Sequence, residues 1–300
     1  MAPPEPLELP APDCVLRSEA TCGESPMWST RESVLYWTDN VEHRIHRFDP
    51  AGGRDETFEL DDDVMDIVVR RDGGLLVVTA KSFAWLEPGS GGLRPFATVE
   101  EDRPDNRFND GKVDRHGRYW AGSMDGKDWG RPSGALYRLE PGAEPLLVRD
   151  GVVCANGLGW SPDEGTFYLG ESFRNAIFAY DFDAEAGTIS NRRVFAEVGE
   201  PGGAFPDGLT VDAQGGVWSA HNGGGRVVRY DPDGKPTHVV RLPVPHPTSC
   251  IFGGADLSTL YITTARQGMD DDQLSRFPLS GSVFAIAPGI PGMPEPTYRG

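Results

Sequence analysis

Short runs that alternate apolar and polar residues recur along the whole chain, each bounded by turn-forming residues. The clearest are the triplets Leu35-Tyr36-Trp37, Leu75-Leu76-Val77, Arg118-Tyr119-Trp120, Phe167-Tyr168-Leu169, Val217-Trp218-Ser219 and Leu260-Tyr261-Ile262. Their middle residues are 40, 43, 49, 50 and 43 positions apart. A turn precedes each, such as Arg71-Asp72-Gly73, Arg115-His116-Gly117 or Ser161-Pro162-Asp163. Most lead into a second alternating run that closes on Asp-Pro or Glu-Pro, as over 44–50, 135–141 and 227–232. Period-two alternation between turns marks half-buried strands. No long stretch carries a helical period. Six units of about 40–50 residues, each long enough for about four strands, predict an all-β chain folded as a six-bladed β-propeller. Radial repetition leaves few exposed strand edges. Residues 14–17 precede the first full unit and are expected to close the ring by pairing with the last blade near 283–286. Residues 1–300 read as a single domain, with 1–13 as a loose tail.

Composition narrows the function. The chain has 300 residues, with 38 glycines and 26 prolines, which suits many tight turns. A net charge of −18 repels phosphate backbones and anionic bilayers, so nucleic-acid and lipid-surface roles are disfavoured. No apolar run reaches the length needed to span a membrane. The N-terminus lacks the basic start and apolar core of a secretory signal, so a cytoplasmic protein with reduced thiols is expected. The four cysteines, Cys14, Cys22, Cys154 and Cys250, form no CxxC pair and no Cys/His cluster. A Cys14–Cys22 bridge stays open at this stage. Oligomeric state is read as monomer or weak homo-oligomer.

The residues that enter the strand before each turn carry the chemistry. Glu24 and Asn156 each lie 12 residues before the middle of their triplet, Asp207 lies 11 before, and Asn109 lies 10 before. These positions are distant in sequence but equivalent in the repeat, so a propeller brings them to one end of its central channel. One Asn-Gly or Asp-Gly pair alone is ordinary turn chemistry. Four equivalent units together are more than that. A Glu carboxylate, an Asp carboxylate and an amide carbonyl in one place suit a hard divalent cation, because like charges at close quarters need neutralising. Calcium is placed first, with zinc, magnesium, manganese and ferrous iron as the other candidates. Blade two offers only Met65-Asp66-Ile67, and the last unit only Ser249-Cys250.

At these residues the sequence resembles the regucalcin/gluconolactonase family, also called the senescence-marker-protein family. The resemblance runs over roughly residues 15–286. Its motifs are Gly23-Glu24-Ser25-Pro26, Arg107-Phe108-Asn109-Asp110-Gly111-Lys112, Asn156-Gly157, Pro206-Asp207-Gly208 and Phe252-Gly253-Gly254 with Leu260–Ala265. It implies a six-bladed propeller with one divalent metal held by Glu24, Asn156 and Asp207. It implies hydrolysis of sugar lactones, with Asp207 also acting as the catalytic base, and substrate contacts from Arg107 and Asn109. One departure stands out. Gly122-Ser123-Met124 is followed by Asp125-Gly126-Lys127-Asp128, and Lys127 occupies the place where familiar members carry a sugar-contacting glutamate. Asp125 is taken as the substrate-binding replacement, with Asp128 as the other candidate.

Remaining features carry less. His221 follows strand residues near the channel mouth and is more often a packed histidine than a substrate contact. His43, His46, His116, His238 and His246 show no metal spacing. No GxSxG elbow occurs, and Cys154 has no evident base partner. The runs Asp61-Asp62-Asp63 and Asp270-Asp271-Asp272 read as solvated loops. Two rivals stand beside the lactonase: a calcium-dependent propeller esterase or phosphotriesterase, favoured by an apolar pocket, and a non-catalytic calcium-binding propeller.

Overall fold

The alternating runs become six antiparallel sheets in the computed structural model, which describes residues 5–86, 92–199 and 203–300. The innermost strands of the six blades, numbered β1 to β6, are Gly23–Ser29, Asp66–Val69, Asn106–Val113, Ala155–Trp160, Phe205–Val211 and Pro247–Gly253. Each contacts the next, and β6 contacts β1, so the ring is closed. Every triplet read from the sequence falls in the second strand of its blade, from Val34–Asp39 to Thr259–Thr264, except that Arg118 stands one residue before the strand Tyr119–Asp125. Those strands are buried on both faces, between neighbouring blades, so each triplet's apolar residues pack on two sides.

Two blades share one device for burying tryptophan. The Asp114 carboxylate accepts the Trp120 indole N–H at 2.9 Å and Arg118 Nε at 2.6 Å. The Asp212 carboxylate accepts Trp218 Nε1 at 2.8 Å and Arg229 Nε at 2.6 Å. Both indoles are fully buried, and the paired aspartate removes the penalty of an orphaned donor. Replacing either tryptophan with alanine costs about 3–5 kcal/mol at such sites.

The ring closes as expected: Asp13–Leu16 pairs antiparallel with Val283–Ile286, with Cys14 opposite Phe284. The expected loose tail differs. Leu7–Glu8 adds a parallel fifth strand to blade five, Leu7 opposite His238, and Glu8 meets Arg241 at 2.9 Å. An open edge strand offers unpaired backbone groups, and even two residues of chain can use them. Residues 1–4 lie outside the described residues. A second correction concerns Asp270-Asp271-Asp272, which opens a short helix, Asp271–Arg276, rather than a loop. Asp270 caps it, accepting from Gln273 N at 2.8 Å, while the Gln273 side chain accepts from Asp270 N at 2.9 Å. All four cysteines are free thiols, which answers the Cys14–Cys22 question. No helix of the described residues is long and apolar enough to cross a membrane.

The C-terminal segment covers one end of the channel. Glu295 pairs with Lys112 at 3.4 Å there, and a void of only about 30 Å³ lies between them and Asp66 and Asp110. The other end is open and holds the site.

Candidate active site

Five of the six inner strands break register with their neighbour, and each break falls at or beside a residue of the repeat position read from the sequence. The breaks lie between Glu24 and Met27, Phe108 and Asp110, Asn156 and Leu158, Pro206 and Leu209, and Pro247 and Ser249. A bulge inserts an extra residue, bends the strand and re-aims a side chain. Here it turns the acid or amide toward the channel mouth. The Asn-Gly and Asp-Gly pairs are therefore bulges inside strands, not hairpin turns. Gly157 sits at φ +53°, a conformation that glycine adopts without strain. The strand β2 keeps continuous register, so Asp66 stays lower in the channel, where it accepts a hydrogen bond from Tyr119.

The open mouth leads into a cavity of about 450 Å³. Five of the six predicted site residues line it: Glu24, Arg107, Asn109, Asn156 and Asp207. Asp110 lies in its floor, shared with the smaller void below. The sixth, Asp125, does not line it. Its carboxylate accepts from Lys127 N at 2.9 Å, Asp128 N at 3.0 Å and Ser133 Oγ at 3.2 Å, and Arg131 lies 3.6 Å away. Those backbone N–H bonds hold the carboxyl below its usual range. A short acidic side chain beside a tight turn is captured by that turn's own N–H groups before it can reach a distant ligand. Lys127 is exposed and pairs with Asp105 at 2.6 Å, outside the cavity.

Hydrogen bonds within and between blades hold the cavity residues. Arg107 Nη1 donates to Asn109 Oδ1 at 2.9 Å and to its neighbour's carbonyl, Phe108 O, at 2.9 Å. Asn109 Nδ2 donates to Ala155 O at 2.9 Å, which ties blade three to blade four. Asp110 Oδ2 accepts from Gly157 N at 2.6 Å. Asn156 Nδ2 donates to Ser172 Oγ at 3.1 Å and to Asp207 Oδ1. Asp207 Oδ2 accepts from Asn222 Nδ2 at 2.9 Å. The sequence reading placed an amide carbonyl toward the acids; the structure turns the NH₂ of Asn156 to Asp207, because a carboxylate can only accept.

Burial lifts the Asp207 carboxyl to about 7, reinforced by the charge of Asp110 and opposed by the Asn222 and Asn156 hydrogen bonds. Glu24 is pushed well up by burial and by the charges of Asp207 and Asp110, and burial raises Asp110 too. Three carboxylates thus share a desolvated site, and ionising them together is costly. A divalent cation would relieve that cost, and every donor in the set is oxygen, the type hard cations take. Among the described residues no three of His, Cys, Asp and Glu are placed to hold a metal ion by themselves; the set that would hold one here is two carboxylates and an amide. In donor chemistry, Glu24, Asn156 and Asp207 fit a divalent ion.

Sequence reasoning missed one wall of the cavity. Trp129, Phe173 and Phe205 come from blades three, four and five. Trp129 stacks on Phe173 with centroids 5.5 Å apart, and Phe173 meets Phe205 at 5.5 Å. Trp129 is 50% exposed, and a large exposed tryptophan in a loop was the available signal. His246 and Asn222 also line the cavity. His221 does not; it is buried between Tyr230, at 3.2 Å, and Arg226 Nε, at 3.3 Å. Burial lowers its pKa to about 3, so it is a neutral core histidine. Cys154 lines the cavity with Sγ 3.5 Å from Met124 Sδ, and burial pushes its thiol up to about 12, which leaves it unreactive.

Comparison with known proteins adds four findings. The family described as "SMP-30/Gluconolactonase/LRE-like region" matches residues 22–266. Regucalcin of Oryctolagus cuniculus is 38% identical, over 96% of this chain and 98% of its own length. A 6-deoxy-6-sulfogluconolactonase of Pseudomonas putida is 37% identical with the same coverage. Among solved structures, a calcium-binding protein, regucalcin, from Agrobacterium tumefaciens superposes with TM-score 0.91 at 27% identity, covering 98% of each chain.

Proposed function

The chain belongs to the SMP-30/gluconolactonase/LRE-like family, and we propose that it hydrolyses a sugar lactone to the open-chain sugar acid in the cavity at the channel mouth. The observation that carries the reading is the meeting of Glu24, Asn156 and Asp207 with Arg107 and Asn109 in one cavity of about 450 Å³. That volume lies in the range of small-molecule sites. The relative named as a 6-deoxy-6-sulfogluconolactonase supports the reaction class.

Opening a lactone needs a water to attack the ring carbonyl, a home for the charge on the carbonyl oxygen, and a proton for the departing ring oxygen. Asp207 takes the proton from the attacking water and returns it to the ring oxygen as the C–O bond breaks. Asn156 and Asn222 hold its two oxygens, so the carboxylate keeps one direction. Arg107 supplies fixed positive charge for the developing oxyanion and donors for substrate hydroxyls. Asn109, bonded to Arg107 at 2.9 Å, fixes the guanidinium and shares the hydroxyl contacts. A divalent cation held by Glu24, Asn156 and Asp207 would polarise the lactone carbonyl. A sugar lactone offers hydroxyls to the polar side and C–H faces to Trp129 and Phe173, which matches a cavity polar on one wall and aromatic on the other.

A second reading, a calcium-binding propeller without catalysis, is favoured by the likeness to the Agrobacterium tumefaciens regucalcin, described as a calcium-binding protein. One experiment separates the two. Proton release is measured on adding neutral pentono- and hexonolactones, with EDTA and with metals restored singly, spontaneous hydrolysis subtracted. The lactonase shows metal-dependent turnover that falls about 10²–10⁴-fold in Asp207→Ala. Calcium binding with no turnover of any lactone would establish the second reading instead.

A further inference from the structure

The Asp207 carboxylate ends a hydrogen-bonded chain that runs along the cavity wall. Asn222, the last residue of the strand Val217–Asn222, donates Nδ2 to Asp207 Oδ2 at 2.9 Å. Its Oδ1 lies 2.9 Å from His246 Nδ1. The protonation of this chain follows from the chemistry of each link. A carboxylate accepts, so the Asn222 end that meets it is the NH₂. The other end is then the carbonyl oxygen, which also only accepts, so His246 Nδ1 carries a hydrogen. His246 Nε2 takes no hydrogen bond from the described residues. The histidine backbone is itself fixed, with its carbonyl accepting from Ala265 N at 2.9 Å.

The side chain of an aspartate needs such help. Its last torsion joins sp³ to sp² carbon and has a broad, shallow profile, so packing alone does not fix where the oxygens point. Asn156, itself bonded to Ser172, fixes Oδ1 from blade four. On the other side Asn222 does so, and an amide not held at its far end is free to turn its carbonyl toward the acid and repel it. His246 removes that freedom.

We infer that Asn222 and His246 are positioning residues: His246 Nδ1–H fixes the sense of the Asn222 amide, and the amide fixes the direction of the Asp207 carboxylate. Neither need touch the reacting atoms. The kinetic part of the test rests on the lactonase reading; the spectroscopic part does not.

Histidine permits a clean pair of substitutions. The Nδ2 of an asparagine stands near where Nδ1 stands, whereas a glutamine places its nitrogen near Nε2. Asn222→Ala lowers kcat about 10–100-fold with KM changed little, the usual cost of losing a residue that orients a catalytic group. His246→Gln loses about tenfold, and His246→Asn restores most of that loss. The double variant Asn222→Ala/His246→Gln is no slower than Asn222→Ala, because His246 acts only through the amide. Equal damage from His246→Asn and His246→Gln, or additive losses in the double variant, overturns the inference. Independently of turnover, ¹⁵N NMR of the imidazole reads the tautomer. Wild type shows Nδ1–H with bare Nε2, and Asn222→Ala moves the ring toward Nε2–H. An Nε2–H tautomer in wild type, or one unchanged by Asn222→Ala, breaks the chain whether or not a lactone is hydrolysed. Absent turnover with the expected tautomers would sink the lactonase reading and leave the chain standing.

Discussion

The backbones of Gly157 and Asp207 lie so close that a β-carbon on Gly157 would stand 2.6 Å from the Asp207 carbonyl oxygen. The same atom would meet Leu209 N at 2.9 Å. The two bulges that present Asn156 and Asp207 are therefore pressed together, and the closeness of the strands brings the amide to the acid. Glycine satisfies both this contact and the positive φ of +53°. Gly157→Ala is expected to lose about 2–4 kcal/mol of stability and most activity, because strain and overlap must both be absorbed beside the site. Chemical denaturation and lactone turnover measure the two losses. A variant as stable and as active as wild type would show that the bulges are not under this constraint.

Cation binding should be visible without any substrate. Calcium added to the metal-free protein raises its melting temperature, since a ligand that binds only the folded state stabilises it. In Glu24→Gln that rise shrinks or vanishes, while the melting temperature of the metal-free variant is not lower than that of wild type. The reason lies in the wild type, where burial and the neighbouring carboxylates of Asp207, Asp110 and Asp66 already disfavour the charged Glu24. Differential scanning fluorimetry with EDTA and calcium arms tests both statements. An undiminished calcium response in the variant removes Glu24 from the cation site.

Trp129 and the phenylalanines behind it should govern binding more than chemistry. Trp129→Ala is expected to raise KM about 3–10-fold with kcat nearly constant, the loss of roughly 1 kcal/mol of stacking made equally in ground and transition states. Fluorescence titration with a cyclic polyol that lacks the carbonyl should quench wild type and not the variant. A fall in kcat at constant KM would place the tryptophan in the reacting geometry instead.

His221 should report on acid stability. Its pKa is about 3 in the fold, against about 6.5 in an unfolded chain. Above the unfolded value both states are neutral and the group is silent. As pH falls from about 6.5 toward 3 the unfolded chain binds the proton first, so this group withdraws stability from the fold across that window. Asp207 works in the opposite sense, since its carboxyl is raised to about 7, so the total curve mixes both. The difference between wild type and His221→Gln isolates the histidine. The stability advantage of wild type should shrink between pH 7 and pH 4, read from urea unfolding at each pH. A difference that stays constant with pH would mean that His221 titrates alike in the folded and the unfolded chain.

Much of this protein is written locally. The six triplets, their turns and the ring-closing segment were legible because strand alternation and turn chemistry need only a few adjacent residues. Glu24, Asn109, Asn156 and Asp207 were legible because a repeat makes distant positions equivalent, and equivalent positions in a closed ring face one axis. The Asp270 cap was present in the sequence as well, as an aspartate three residues before a glutamine, but a six-residue helix is too short to show a period.

Tertiary structure decided the rest. Whether an Asn-Gly pair is a turn or a bulge depends on the strand pressed against it, here Asp207 against Gly157. Asp125 could serve a sugar or its own loop, and the loop's N–H groups at 2.9 and 3.0 Å took it. The aromatic wall joins Trp129, Phe173 and Phe205 from three blades, and no spacing links them. Asn222 and His246 are 24 residues apart and meet only because the end of the second strand of blade five lies against the start of blade six. Alternation and turns are properties of short segments, so the sequence alone determines them. Which side chains complete a cavity depends on how whole blades stack, because each contact there joins residues that the chain itself keeps apart.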